Sequence, residues 1–255
     1  MSPQGWTAGY GHGVPDAIFT HPRLAAIYDA FDGPRDDLAA YAGIAEELGA
    51  HRVLDVGCGT GCLALLLARS GYAVVAVDPA TASLEVARSK GESAAVNWIQ
   101  GDAAQLPAVG ADLAVMTGNV AQVFLSDTDW AQALAAIGGA LRPHGYLVFE
   151  TRRPGRRVWQ DWAADTRPVI LDVPGSGPVE QCRAVTAVNL PFVSFRCTYT
   201  FAADGAVITS DSTLRFRSRD EVEASLAAQG YQVLEVREAP DRPGQEFVFI
   251  AERTP

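Results

Sequence analysis

Residues 53–61 read VLDVGCGTG. A short strand-forming run, interrupted only by Asp55, turns into glycine at every second position: Gly57, Gly59 and Gly61. Glycine at that density brings a backbone close to a ligand. The residues that follow, CLALLLARS at 62–70, have the apolar content of a buried helix. Strand, glycine turn and helix together form the nucleotide-binding start of an open α/β sheet. The ligand is either a dinucleotide pyrophosphate or another molecule with a nucleoside in it. The dinucleotide fingerprint needs G-x-G-x-x-G, and Cys62 stands where its third glycine belongs. Asp78 ends the next apolar run, 21 residues after Gly57, and suits a ribose diol in either case. Asp55 argues against pyrophosphate, because a carboxylate beside the loop favours a cationic group; the alternative is a strand-end carboxylate bonded to loop amides. For Asp78 the alternative is a cap on the helix that follows.

Spacing predicts helices over 23–31 and 36–49, the second stopped by Gly49. Apolar strands follow in HRVLDV, AVVAVD, VNWIQGD, ADLAVMTGN and GYLVFET. Helices are expected at 62–70, 81–90 and about 128–141, the last capped by Ser126 or Asp127. Apolar strands alternating with helices predict an α/β fold whose parallel sheet is covered on both faces. The pattern changes after Thr151. Residues 152–178 are rich in Arg, Pro and Gly, and 179–217 alternate with period two. Asp204-Gly205 predicts a two-residue hairpin turn. That turn pairs Phe201 with Ile208, Tyr199 with Ser210, Cys197 with Ser212 and Phe195 with Leu214, all on one largely apolar face. Ser218 and Glu221 form a capping box for a helix to about Gln229, and YQVLEVRE and QEFVFIAER close the chain as strands.

Composition narrows the partners. A chain of 255 residues that is 48% hydrophobic sustains one good core, and a net charge of −10 argues against nucleic acid. Lys90 is the single lysine. The four cysteines, Cys58, Cys62, Cys182 and Cys197, include no C-x-x-C pair, so neither a metal site nor a disulfide frame is expected. No stretch reads as a signal peptide or a membrane span, which leads to the expectation of a cytoplasmic protein without a membrane partner. The N-terminal GWTAGYGHGVP is expected to be a lid or a tail.

VLDVGCGTG, VVAVD ending in Asp78, GDAAQLP around Asp102, ADLAVMTGN and LRPHGYLVFET occur in the order and spacing of one family. Over roughly residues 50–151 the chain resembles the class I S-adenosylmethionine-dependent methyltransferases, whose cofactor carries both an ammonium and a sulfonium. The resemblance implies a Rossmann-like sheet of seven strands, six parallel and the last antiparallel; the antiparallel β insertion after strand five, with the N-terminal lid, reads as a substrate cap over it. It implies a cofactor site made by Tyr28, Asp55, Gly57, Cys58, Gly59, Asp78, Pro79, Asp102, Ala103, Thr117 and Asn119. Gly57 and Gly59 would approach the methionine part, Asp78 would hold the ribose, and Asp102 with Ala103 would read the adenine. Thr117 to Asn119 would lie beneath the sulfonium, and Tyr28 would close over the methionine carboxylate; a packed tyrosine is the alternative there. The segments expected are 1–22 as lid or tail, 23–151 as core, 152–217 as cap insertion, and 218–255 as closing helix and strands.

Ligands bind outside the carboxyl ends of the strands in such sheets, which sorts the remaining candidates. His51 and His144 precede strands and belong to the opposite edge, whereas His12 and His21 belong to the N-terminal region near the substrate, with His12 a candidate base. Glu150 and Arg152 at the end of strand five are the other catalytic candidates. Arg152, Arg153, Arg156 and Arg157 form a basic knot suited to a substrate carboxylate or phosphate, the alternative being a solvated loop. Trp159 and Trp162 read as cap packing or as walls of an aromatic pocket. The function expected is methyl transfer to a small-molecule acceptor by a monomer or homodimer, of a kind suited to secondary metabolism. The rivals are a non-methylating reaction on the same cofactor and a non-catalytic cofactor-binding module.

Overall fold

The nearly all-apolar strands of the first half are buried from both sides. The computed structural model describes residues 15–255. In chain order the elements are α1 (Ala17–Thr20), α2 (Pro22–Asp32), α3 (Leu38–Glu47), β1 (Arg52–Val56), α4 (Cys62–Arg69), β2 (Ala73–Asp78), α5 (Thr81–Ser89), β3 (Val96–Gln100), β4 (Ala111–Met116), α6 (Asp127–Ala140) and β5 (Leu141–Arg152). Then come α7 (Val158–Ala164), β6 (Val169–Val173), β7 (Gly177–Asn189), β8 (Phe192–Phe201), β9 (Val207–Arg215), α8 (Arg219–Ala228), β10 (Tyr231–Glu238) and β11 (Glu246–Arg253).

The main sheet has seven strands in the order β10-β11-β5-β4-β1-β2-β3. β1 to β5 are parallel, and β11 runs antiparallel to both β5 and β10. One strand therefore opposes six, as expected. Along β1, Leu54 and Val56 join the core under α6 and α8, while Val53 joins the core under α3 and α4. This is the period-two alternation of a strand covered twice. Helix ends follow the caps read from sequence. Ser126 Oγ accepts from the Asp129 amide, and Ser218 with Glu221 makes a complete capping box.

The second sheet is antiparallel, in the order β6-β7-β8-β9. Its inner face packs on α2 through Leu24, Ile27, Val179, Tyr199 and Phe201, and on α7 through Trp159, Val193 and Phe216. The hairpin register differs from the one the turn predicts. Tyr199 pairs with Ile208, Cys197 with Ser210 and Phe195 with Ser212, a two-residue slip from the pairing expected from the turn. Residues 202–205 form a four-residue loop, in which the Gly205 amide donates to Phe201 O at 2.9 Å and the Phe201 amide donates to Ala206 O at 2.9 Å. A two-residue Asp-Gly turn needs positive φ at both positions, and only Gly205 has it, at 71°. A slip of two keeps every side chain on its face, so the inner and outer surfaces are unchanged.

Candidate functional site

The turn after β1 shows what each glycine is for. A Cβ on Gly57 would lie 2.7 Å from Val120 Cγ2, and one on Gly61 would run into the Trp98 ring. Only at Gly59 is the corresponding space empty. All three have positive φ, 74°, 53° and 80° in order. The protein's own packing thus demands the outer two, and the middle one faces the cleft.

That cleft lies at the carboxyl ends of β1, β2 and β4 and encloses about 1050 Å³ including its open mouth. Its walls bring together Tyr28, Asp55, Gly57, Cys58, Gly59, Asp78, Pro79, Asp102, Ala103 and Thr117. Asn119 is absent from the walls, a correction to the expectation. Its backbone has φ 62°, and its side-chain amide donates to Glu246 Oε1 at 3.0 Å behind the wall.

Asp55 is 1% exposed, and among the described residues neither of its oxygens has a hydrogen-bond partner. The alternative in which loop amides satisfy it does not hold; the Ala64 amide lowers its pKa but forms no bond of ordinary geometry. Burial, followed by the Asp78 charge, pushes its pKa up to about 7. A buried, unpartnered carboxylate at the end of a strand calls for a cation. Asp78 binds the Gly59 amide through Oδ2 and the Ala80 amide through Oδ1, each at 2.8 Å. It thus braces the glycine turn and the start of α5 while keeping lone pairs for a ligand. Burial raises its pKa as well.

Among the wall residues that the sequence does not single out are Arg35 and Phe19. Arg35, in the turn between α2 and α3, edges the cleft; it forks onto Asp37 at 2.9 and 2.8 Å and reaches Asp32 at 3.0 Å. Phe19 of α1 packs on Tyr28, with ring centroids 5.6 Å apart. Nothing in the local pattern distinguishes either from an ordinary surface arginine or core phenylalanine. A third tie is visible only in three dimensions. Lys90 Nζ reaches Asp29 of α2 at 2.6 Å and Thr60 O of the glycine turn at 2.7 Å, fastening the helix that carries Tyr28 to the cofactor loop.

Glu150 lies outside the cleft. It is 1% exposed and accepts from the Gly118 amide at 2.8 Å, the Asn119 amide at 3.1 Å and the Tyr41 hydroxyl. Burial and the neighbouring Glu246 push its pKa up to about 7. Its role is to fix the turn after β4. Buried Arg217 holds the far end of the same segment through Phe124 O at 2.8 Å and Ser126 O at 3.2 Å. Val120, Val123 and Phe124 of that segment form one side of the cleft.

A second cleft, about 770 Å³ including its mouth, opens between α1–α2 and the inner face of the second sheet. Phe19 and Tyr28 line both clefts. Arg152 lines the second, donating to Gln122 Oε1 at 3.0 Å. The rest of the basic knot disperses. Arg153 pairs with Glu238 at 3.0 Å and stacks on Phe247, Arg156 pairs with Asp161 at 3.2 Å, and Arg157 is exposed. Trp159 is buried against Phe216 as cap packing, and Trp162 stands edge-on to Phe195. His21 Nδ1 accepts from the Arg23 amide as a helix cap and lines neither cleft, and His12 lies outside the described residues. His51 and His144 sit at the opposite edge, His144 with φ 59° and its ring 2.7 Å from Glu252. Among the described residues no group of His, Cys, Asp and Glu is placed to hold a metal, and no helix is long and apolar enough to cross a membrane.

Residues 53–145 match the family described as a methyltransferase domain. Over that stretch the chain is similar to class I S-adenosylmethionine-dependent methyltransferases. It is 40% identical to an uncharacterised methyltransferase of Mycobacterium tuberculosis over 106 residues, 41% of this chain and 52% of that one. The chain thus spans about half the length of this curated relative. The sugar N-methyltransferase KedS8 from Streptoalloteichus superposes with a TM-score of 0.74 at 20% identity, covering 100% of both chains. CalS10 of Micromonospora echinaspora, an amino pentose methyltransferase of calicheamicin biosynthesis with S-adenosylmethionine bound, gives 0.70 at 24% identity, covering 89% of this chain and 97% of that one. These likenesses extend over most or all of the chain and show its fold.

Proposed function

We propose that this protein transfers the methyl group of S-adenosylmethionine to a small-molecule acceptor, with residues 152–217 as the substrate cap and residues 15–22 contributing to it. The observation that carries the reading is Asp55. Its buried, unpartnered carboxylate faces the cleft that Asp78 and Asp102 also line. S-adenosylmethionine suits that donor set, with an ammonium for Asp55, a ribose diol for Asp78, an adenine for Asp102 and Ala103, and a carboxylate for Arg35. A pyrophosphate would meet two buried carboxylates instead.

Bound there, the cofactor supplies a methyl group on a sulfonium leaving group. The chain contributes position and exclusion of water. Gly59 leaves room for close approach, and Glu150 and Arg217 hold the segment that ends in Phe124. Phe19 and Tyr28 separate the cofactor cleft from the second cleft, where the acceptor binds. No histidine lines either cleft among the described residues. The likeness to natural-product methyltransferases and the net charge of −10 both support a small molecule of secondary metabolism over nucleic acid.

The test is thermal unfolding with S-adenosylmethionine, S-adenosylhomocysteine, NADH or NADPH, each at about 100 times its Kd or at the same concentration. Binding at that level adds about 2.7 kcal/mol, a rise of roughly 5–10 °C for a chain of this size. A rise with the two sulfur nucleosides alone is expected, and a rise with a nicotinamide alone overturns the reading. Asp78→Asn is expected to weaken S-adenosylhomocysteine binding by calorimetry about 10-fold to 100-fold, equal to roughly 1.4–2.8 kcal/mol for a charge-assisted bond pair. Unchanged affinity removes Asp78 from the ribose site.

A further inference from the structure

We propose that the acceptor carries an acidic group, a carboxylate or phosphate, held between Arg152 and Arg183 in the second cleft. This rests on the small-molecule methyltransferase reading and adds the substrate class to it. Arg152 ends β5, and Arg183 lies on the inner face of β7, in register with Cys197. Both guanidiniums lie against the Trp162 ring, 5.3 and 5.8 Å from its centroid, and both line the cleft. The sequence placed the basic site in a run of neighbouring arginines; the fold instead pairs one of them with an arginine 31 positions away.

These two charges are short of counter-charge. The Arg183 guanidinium makes no hydrogen bond or ion pair among the described residues. Arg152 reaches Glu246 only at 3.7 Å, and the same Glu246 oxygen already accepts from Arg242 and from Asn119, each at 3.0 Å. Asp32, the carboxylate that lines the cleft, is bound to Arg35 at 3.0 Å. Two guanidiniums stand beside one indole: Arg152 shares Glu246 with Arg242, and the exposed Arg183 has near it, among the described residues, only Asp165, which is bonded to Arg167 at 2.8 Å, so a positive excess remains in the cleft. An acid with planar or tetrahedral oxygens fits the guanidinium fork and offsets that excess.

The rest of the cleft specifies the body of the molecule. Phe19, Tyr28, Phe31 and Phe195 present rings, while Gln181 donates to the Tyr199 hydroxyl at 2.7 Å to form a polar strip on the sheet. Neither arginine lines the cofactor cleft, whereas Phe19 and Tyr28 line both. The acid therefore binds away from the transferred methyl group, and the ring-bearing body reaches toward it. Such an anchor sets KM more than kcat.

The test is calorimetry on the full chain saturated with S-adenosylhomocysteine, using benzoate, phenyl phosphate and neutral benzyl alcohol as probes. At least one acid is expected to bind about tenfold or more tighter than benzyl alcohol, and the preferred acid identifies carboxylate or phosphate. Arg183→Gln, at an exposed position, is expected to remove that preference, and Arg183→Lys to restore part of it; melting temperatures verify that both variants are folded. Equal binding of acids and alcohol, no binding of either acid, or an unchanged preference in Arg183→Gln overturns the proposal. Binding of S-adenosylhomocysteine is read in the same samples before any probe is added. Its failure counts against the methyltransferase reading alone, because the acid preference is then measured without it.

Discussion

Asp55→Asn is expected to stabilise the ligand-free protein at pH 8 while weakening S-adenosylmethionine binding about 100-fold. The two effects have one cause. Asp55 has a folded pKa pushed up to about 7 by burial and by Asp78, against an unfolded value near 4. Between pH 4 and pH 7 the folded state therefore retains a proton that the unfolded state has lost. Stability from this group falls as pH rises through that window, and above pH 7 the whole penalty is present. It is on the order of a few kcal/mol, since each pKa unit corresponds to 1.36 kcal/mol. An amide carries no charge and escapes it, which predicts a melting temperature higher by on the order of 5–10 °C at pH 8 and little change near pH 4.

The charged groups around Asp55 are Asp78 on β2 and Arg35 in the α2–α3 turn, with the Cys58 thiol beside it in the loop. Arg35 alone opposes the shift among the side chains, and it is already bonded to Asp37 and Asp32. A bound ammonium reverses the balance by favouring the ionised carboxylate. Wild-type affinity should rise with pH up to about 7 and then level off, and the variant should lack that rise. Glu150 titrates in the same range in both proteins, so the difference between them isolates Asp55. A variant that is no more stable at pH 8, or that binds cofactor like the wild type, would refute the assignment.

The second large effect concerns two alanines two residues apart. Gly61→Ala is expected to destabilise by roughly 2–6 kcal/mol, from left-handed backbone strain together with overpacking. The added methyl meets the Trp98 ring and lies 3.0 Å from Ala87 Cβ, at φ 80°. Gly59→Ala has the same class of backbone, at φ 53°, but nothing within 4 Å of the added carbon. It is expected to cost no more than about 1–2 kcal/mol and to lower cofactor affinity by placing a methyl group in the cleft. Denaturant melts and calorimetry on the pair check both. Equal stability losses would mean that the turn is uniform and that Gly59 has no special relation to the ligand.

The α/β core was legible because its signals are local and redundant. Each central strand is an apolar run bounded by glycine or a carboxylate, and Ser126 and Ser218–Glu221 mark helix starts by chemistry that acts within four residues. The hairpin was legible in its faces but not in its register. The Asp-Gly pair is a strong local signal, yet the loop used Gly205 alone, and only three-dimensional pairing decides between two registers of the same parity. The basic knot failed for a related reason. Arg152 and Arg153 are neighbours at the end of a strand and so point to opposite sides, one toward Gln122 and the other toward Glu238. Glu150 and Asn119 were assigned to the right segment and the wrong side of it, because the direction of a side chain at a strand end depends on its partners. Arg35, in the α2–α3 turn, and Arg183, on β7, reach the first and the second cleft respectively only in the folded chain.

The wall formed by Phe19 and Tyr28 is common to both clefts, and Lys90 fastens its helix to the glycine turn. The two pockets are coupled to the extent that an occupant moves this shared wall. An occupant of either one that draws α2 inward changes the wall seen by the other. Thermodynamic reciprocity then requires each ligand to alter the other's affinity by the same factor.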